Sequence, residues 1–207
     1  MLSFTIKAFM TLFVVIDPVG LVPIFIALAG NYSEEEQARI LREAMLIAGS
    51  ILLLFSLGGA FLLRYLGITI EAFQVTAGLL LLKLGLDMVF GGSESEIKEQ
   101  DKETTVKKDI SVFPLAIPLI AGPGTLASTL ILLDEAKTFG LGLVIVLSID
   151  AILLGICYGL LSGSKYLGQL LGATGINAIT RILGVLLSAL AVQYMADGIV
   201  VLLKAGA

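Results

Sequence analysis

Pro114-Leu115-Ala116-Ile117-Pro118-Leu119-Ile120-Ala121-Gly122-Pro123-Gly124-Thr125 places three prolines and two glycines inside an otherwise apolar run. Each proline lacks an amide hydrogen and crowds the preceding turn, and each glycine loosens the backbone beyond it, so the stretch cannot form one straight helix. The run that holds it, 113–133, is nevertheless close to the ~20 residues that cross ~30 Å of hydrocarbon as a helix. Backbone groups left unpaired at that depth are tolerated only where protein buries them or a watery cavity receives them. The stretch therefore predicts a membrane-spanning helix interrupted at an internal site.

A second interruption is written near the N-terminus, where Asp17, Pro18, Val19 and Gly20, with Pro23 beyond, sit in the middle of the apolar run 4–29. Lys7 ahead of the uncharged start of that run, which extends from Ala8 to Ala29, and Ala27, Leu28, Ala29 at its end, resemble a secretory signal with its cleavage site. The run is too long for the 7–15 residues of a signal core and carries Asp17 and Pro18 at its centre, so it is expected to stay as the first helix.

Outward from these two points, further apolar segments fall at 38–63, 70–90, 139–161 and 178–203, making six in all. The 207 residues are 57% hydrophobic and 14% charged, where a soluble domain carries about a quarter charged residues. A water-soluble core cannot absorb that much apolar surface, and no polar segment is long enough to fold separately. Asn31 to Glu36 separates the first two segments, with Ser33 followed three residues later by Glu36 as a capping box that starts a helix. The stretch from Gly91 to Asp109, rich in Glu and Lys, reads as a solvated linker. The net charge of −4 has no basic block, which argues against a nucleic-acid partner. Histidine is absent, which removes the commonest general base and metal ligand, and the single Cys157 excludes an intramolecular disulfide or a cysteine metal cluster. No cofactor or metal is expected.

The two halves resemble each other. Pro18 matches Pro123, Gly78 matches Gly184, and Arg64, Tyr65, Leu66, Gly67 match Lys165, Tyr166, Leu167, Gly168. Three crossings per half is an odd number, so the second half enters the membrane inverted. The expected fold is thus all-α and polytopic: six transmembrane helices as two inverted three-helix repeats, 1–90 and 113–207, around a linker at 91–112, with the first and fourth helices discontinuous. One side of the membrane then holds Lys7, Arg64, Lys137 and Lys204, and the other Arg39, Arg42, Lys98, Lys102, Lys107, Lys108, Lys165 and Arg181. Cytoplasmic loops carry the excess of basic residues, which places both termini outside the cytoplasm of a cell (inner) membrane.

Inverted repeats in transporters put the substrate at the midplane, between broken helices. The half-helices after Pro18 and Pro123 would aim free amides and positive dipole ends into a shared cavity, where a carboxylate is welcome. Asp17 offers the opposite charge to an ammonium group, a proton or sodium. Together they describe a site for a small zwitterion lined by Asp17, Pro18, Gly20, Gly122, Pro123 and Gly124, with Thr125 and Ser128 as hydroxyl contacts. Asp150, in the fifth segment, is a second candidate for a coupling ion. Thr76 and Gly78 are close-packing positions that would reach the pocket if the packing lies near the breaks. Lys83 and Asp87, four apart, are read as an ion pair on one helix face, with gating as the alternative. A homo-oligomer is compatible with all of this.

At Asp17, Pro18, Gly20 and Pro23, and at Pro114, Leu115, Ala116, Pro118, Ala121, Gly122, Pro123 and Gly124, the sequence resembles the MarC family, also called the neutral amino acid transporter family of six-helix proteins. The resemblance covers essentially the whole chain, with Asp17 standing where many relatives carry asparagine. It implies transport of small neutral amino acids such as glycine and alanine. A proton- or sodium-coupled secondary transporter is the leading reading. An exporter or channel for another small solute is the alternative, although a channel needs a more continuous polar lining than this chain offers. An intramembrane enzyme lacks a histidine and a second acid paired with Asp17.

Overall fold

A computed structural model of the chain describes residues 1–91, 110–138 and 140–205, and the greater part of the linker lies outside them. The described residues are helical throughout, in the order α1 (Leu2–Ile16), α2 (Leu21–Ala29), α3 (Glu34–Tyr65), α4 (Ile70–Phe90), α5 (Ser111–Ile120), α6 (Pro123–Glu135), α7 (Gly142–Ser162) and α8 (Ser164–Ala205). Five stretches are long and apolar enough to cross a membrane, or six when α5 and α6, bent by 47° against each other, count as one span.

Local chemistry sets the ends of these helices. At the start of α3 the Ser33 hydroxyl accepts from the Glu36 amide at 3.3 Å while the Ser33 amide donates to the Glu36 carboxylate at 2.9 Å, completing the capping box. Thr69 caps α4 by accepting from the Ala72 amide, and Gly91 closes the helix with a left-handed φ of 79°. In α5 the non-helical residues are Phe113 (φ −130°, ψ 125°) and Ile117 (φ −130°, ψ 126°). Each precedes a proline, whose ring forces its predecessor out of helical geometry.

Two features depart from the sequence expectation. The last helix begins at Ser164, well ahead of 178, and bends where Gly172 adopts φ 62°, ψ 169°. Arg64 to Gly67 close α3 and its turn, whereas Lys165 to Gly168 lie in the opening turns of α8, so that pair of matched stretches occupies different local structures.

The most extensive contact joins α4 to α8. Glycines make it close: a Cβ on Gly78 would stand 2.7 Å from the Ala191 carbonyl oxygen, on Gly85 2.8 Å from that of Gly184, and on Gly198 2.7 Å from that of Glu71. Numbers rising along α4 fall along α8, so the two helices are antiparallel. α3 packs on α7, with Gly49 against Leu154. Around these pairs, α6 packs on α3 and α4 while α2 packs on α7 and α8, and α5 packs on α3 while α1 packs on α7. At one end of the bundle a cavity of about 310 Å³ opens between the α3–α4 turn and Lys137, with Arg64 and Thr69 in its wall.

Candidate functional site

The first interruption is built on Asp17. It ends α1 in the left-handed region, at φ 45° and ψ 66°, and is the sole non-glycine with positive φ among the described residues. That conformation costs energy for any residue with a Cβ and is most tolerated by Asn and Asp. Its carboxylate turns back to accept the Gly20 amide at 3.0 Å, satisfying a donor that would otherwise be orphaned at the start of α2. A Cβ on Gly20 would fall on that carboxylate and 3.2 Å from the Thr180 hydroxyl of α8, so any other residue there would have to displace the Asp17 side chain. Asp17 and Pro18 are buried, with Asp17 8% exposed. The Cys157 thiol of α7, fully buried, lies within electrostatic reach of the Asp17 carboxylate.

The second interruption opens α6. Gly122 stands at its N-cap in extended geometry, Pro123 follows at the first helical position, and no side chain caps the helix. A Cβ on Gly122 would strike the Pro118 carbonyl, while one on Gly124 would lie 2.7 Å from Leu81 of α4 and 3.5 Å from Val15 of α1. Val15 is two residues before Asp17, which brings the two interruptions into one packed neighbourhood. The Thr125 hydroxyl donates to the Ile120 carbonyl at 2.9 Å, spanning the gap between α5 and α6. Gly122 and Thr125 are buried and Pro123 is exposed.

Several buried polar atoms near these helices have no hydrogen-bond partner among the described residues. They are the hydroxyls of Ser56, Ser128, Thr129 and Tyr194 and both carboxylate oxygens of Asp150. Buried polar groups are normally paired, so each calls for an explanation. Ser128 is fully buried on α6, and the Tyr194 hydroxyl of α8 comes up to it without closing a bond. Asp150, on α7, is 3% exposed.

Thr76 and Gly78 sit on α4, with Gly78 three residues before the Leu81 that meets Gly124. Gly78 is buried against Ala191 and Met195 of α8, in the α4–α8 seam. Thr76 faces outward and spends its hydroxyl on the Ala72 carbonyl. The Lys83 ammonium and Asp87 carboxylate meet at 3.0 Å, the ion pair read from their spacing. Thr180 and Tyr194 carry no signal of their own in the sequence. Thr180 precedes Gly184 by the same four residues as Gln74 precedes Gly78, and Leu187, Ala191, Tyr194 and Gly198 recur at alternating steps of four and three, which are the marks that would have found them.

The family description "MarC family integral membrane protein" matches residues 2–203. The chain belongs to the MarC family. Similar proteins are UPF0056 membrane protein MJ1677 of Methanocaldococcus jannaschii, 36% identical over 199 residues, covering 96% of this chain and 97% of that one. A UPF0056 membrane protein of Aquifex aeolicus is 37% identical over 203 residues, covering 96% and 94%. UPF0056 membrane protein YhcE of Escherichia coli is 32% identical over 197 residues, covering 93% and 90%. No solved structure matches the chain. As a MarC family member it is an integral, multi-pass membrane protein in contact with the lipid bilayer, and both interruptions fall inside the matched region.

Proposed function

We propose that this protein is a secondary transporter of small neutral amino acids, of the glycine and alanine class, coupled to protons or sodium. The observation that carries the reading is the packing of two helix interruptions into one buried core, the first holding a carboxylate and the second an uncapped helix N-terminus. The α6 N-terminus, with the Gly124 and Thr125 amides, would receive the substrate carboxylate. Asp17 and Asp150 would answer its ammonium group or the coupling ion, and the unpartnered Ser128 and Tyr194 hydroxyls would supply neutral contacts. Leu81 and Val15 crowd Gly124, which favours the smallest side chains.

Alternating access would come from two inverted repeats. Three observations support that arrangement. The third helix of each half, α4 and α8, run antiparallel, as inversion requires. Gly184 follows Gly78, and Ala191 follows Gly85, by the same 106 residues, so the Gly78–Ala191 and Gly85–Gly184 contacts exchange under the repeat. The broken helix of each half packs on the other half's second and third helices. Switching between two packings of such halves opens a central site to either side. The membrane is expected to be the cell (inner) membrane. We assign no catalytic step to this site.

The test is uptake of labelled glycine and alanine into proteoliposomes under imposed proton or sodium gradients, with the native chain beside Asp17→Ala. Saturable uptake that follows one gradient and falls at least tenfold in the variant is the expected result. Folded protein without uptake in either direction would remove the amino-acid assignment. Non-saturating flux would favour the channel alternative.

A further inference from the structure

We propose that the interruption after α1 is a sodium site, formed by the Asp17 carboxylate, the Thr180 hydroxyl of α8 and open carbonyls at the end of α1. It gives the coupling ion its chemical identity, and its role in coupling rests on the transporter reading above.

Two side-chain oxygens meet at Gly20. Oδ1 of Asp17 accepts the Gly20 amide at 3.0 Å, while Oδ2 has no partner among the described residues. Helical hydroxyls in this protein repeatedly turn back on the carbonyl four residues earlier, as those of Ser50, Thr76, Ser148 and Ser188 do. The Thr180 hydroxyl makes neither that bond nor any other among the described residues. It stands 3.2 Å from the place a Gly20 Cβ would take, the same place on which Oδ2 of Asp17 closes in. The missing side chain of Gly20 thus leaves a gap edged by two unpartnered oxygens, one from each half of the chain.

The backbone adds two more oxygens. Carbonyls of a helix point toward its C-terminal end, so the last ones of α1 open onto the break with the negative end of the helix dipole. The Val14 carbonyl has lost its donor because Pro18, four residues on, carries no amide hydrogen. The Ile16 carbonyl has lost its own because the Gly20 amide is taken by Asp17. Both residues are buried.

Carboxylate, hydroxyl and carbonyl oxygens suit a hard cation. A proton needs the carboxylate alone and leaves the other oxygens unanswered. A divalent ion would bring surplus positive charge against the single charge of Asp17, which is costly at this depth. An ammonium group brings its carbon with it, into a gap the size of one methyl. Sodium fits each condition, and discontinuous membrane helices hold it at half-helix C-terminal ends. Because Asp17 and Thr180 belong to different halves, a bound ion ties the halves together, and its arrival and release favour different packings of them.

The test is the thermal midpoint of the full chain in detergent, without amino acid, as sodium replaces choline at constant ionic strength. Sodium should raise the midpoint saturably. Thr180→Val, which keeps the shape and removes the hydroxyl, should need at least tenfold more sodium for half the shift. Thr180→Ser should respond as the native chain does, as should Ser148→Ala on the outer face of α7, and Asp17→Asn should lose the shift. Equal midpoints in sodium and choline, or a native sodium response in Thr180→Val, would overturn the proposal. Uptake keeps the two readings apart. Glycine or alanine uptake that follows a proton gradient and ignores sodium overturns the sodium site and leaves the transporter. A sodium shift lost in Thr180→Val, from protein that carries neither amino acid, supports the site and removes the substrate assignment.

Discussion

Asp17 does two jobs in one position, and two substitutions separate them. Its carboxylate accepts the Gly20 amide, and its backbone holds a left-handed turn that Asp and Asn tolerate best. Asp17→Asn keeps a side-chain oxygen for Gly20 and keeps the tolerance of the turn, losing only the charge. Asp17→Ala loses the acceptor, worth about 0.5–2 kcal/mol at a helix start, and adds strain in the left-handed region. The expected outcome is an asparagine variant that melts with the native protein but no longer follows an ion gradient, beside an alanine variant that melts earlier. Thermal unfolding in detergent and gradient-driven uptake measure the two effects. An asparagine variant that still follows the gradient would move the coupling role to Asp150. The break itself was legible from Pro18 and Gly20; the inward turn of the carboxylate was not, because spacing does not say which amide a short side chain will choose.

At the scale of elements, the α4–α8 seam decides how the halves meet. A Cβ on Gly85 would stand 2.5 Å from the Ser188 hydroxyl, 2.8 Å from the Gly184 carbonyl and 2.9 Å from the Ser188 amide, two of them backbone atoms that cannot step aside. Gly85→Val therefore has to part the helices, and overpacking of this kind destabilises by about 1–3 kcal/mol. Gly155→Ala on α7, with nothing within 4 Å of its Cβ, should leave the thermal midpoint unchanged or slightly raised. A drop in midpoint for Gly85→Val alone is the expected pattern, and equal behaviour of the two would argue against a tight seam. Helix starts were readable in advance: Ser33 with Glu36 is a local device whose partners lie three residues apart. The bend at Gly172 was hidden, because one glycine among the small residues 172–175 looks like any other until the chain must turn at it. The outward placement of Thr76 was equally invisible, since a period of 3.6 shows that a helix has faces and not which neighbour each face meets.

For the whole molecule the open geometric question is which side each end faces, and the contacts narrow it. Lys7 of α1 pairs with Glu135 at the end of α6 at 2.7 Å, Arg64 and Lys137 border one cavity, and Gly198 near the end of α8 touches Glu71 at the start of α4. These contacts gather Lys7, Arg64, Lys137 and the end of α8 at one end of the bundle. At the other, Lys165 at the start of α8 pairs with Glu34 at the start of α3 at 3.1 Å. Of the two groups of basic residues counted along the chain, Lys7, Arg64 and Lys137 thus share one end and Lys165 lies at the other, while Lys98, Lys102, Lys107 and Lys108 fall outside the described residues. Positive charge is retained on the cytoplasmic side, so the end holding Lys7 should face away from the cytoplasm. Labelling of single cysteines in intact cells with a membrane-impermeant thiol reagent tests this directly. Ser3→Cys and Lys204→Cys should react from outside, and Glu35→Cys should react only after the membrane is opened. The reverse pattern would keep the six-span arrangement and invert its orientation. Reaction of Ser3→Cys and Lys204→Cys from opposite sides would be more damaging, because an odd number of crossings is incompatible with two inverted three-helix halves. The proposed site between the broken helices would then lose the symmetry that lets it open alternately to the two sides.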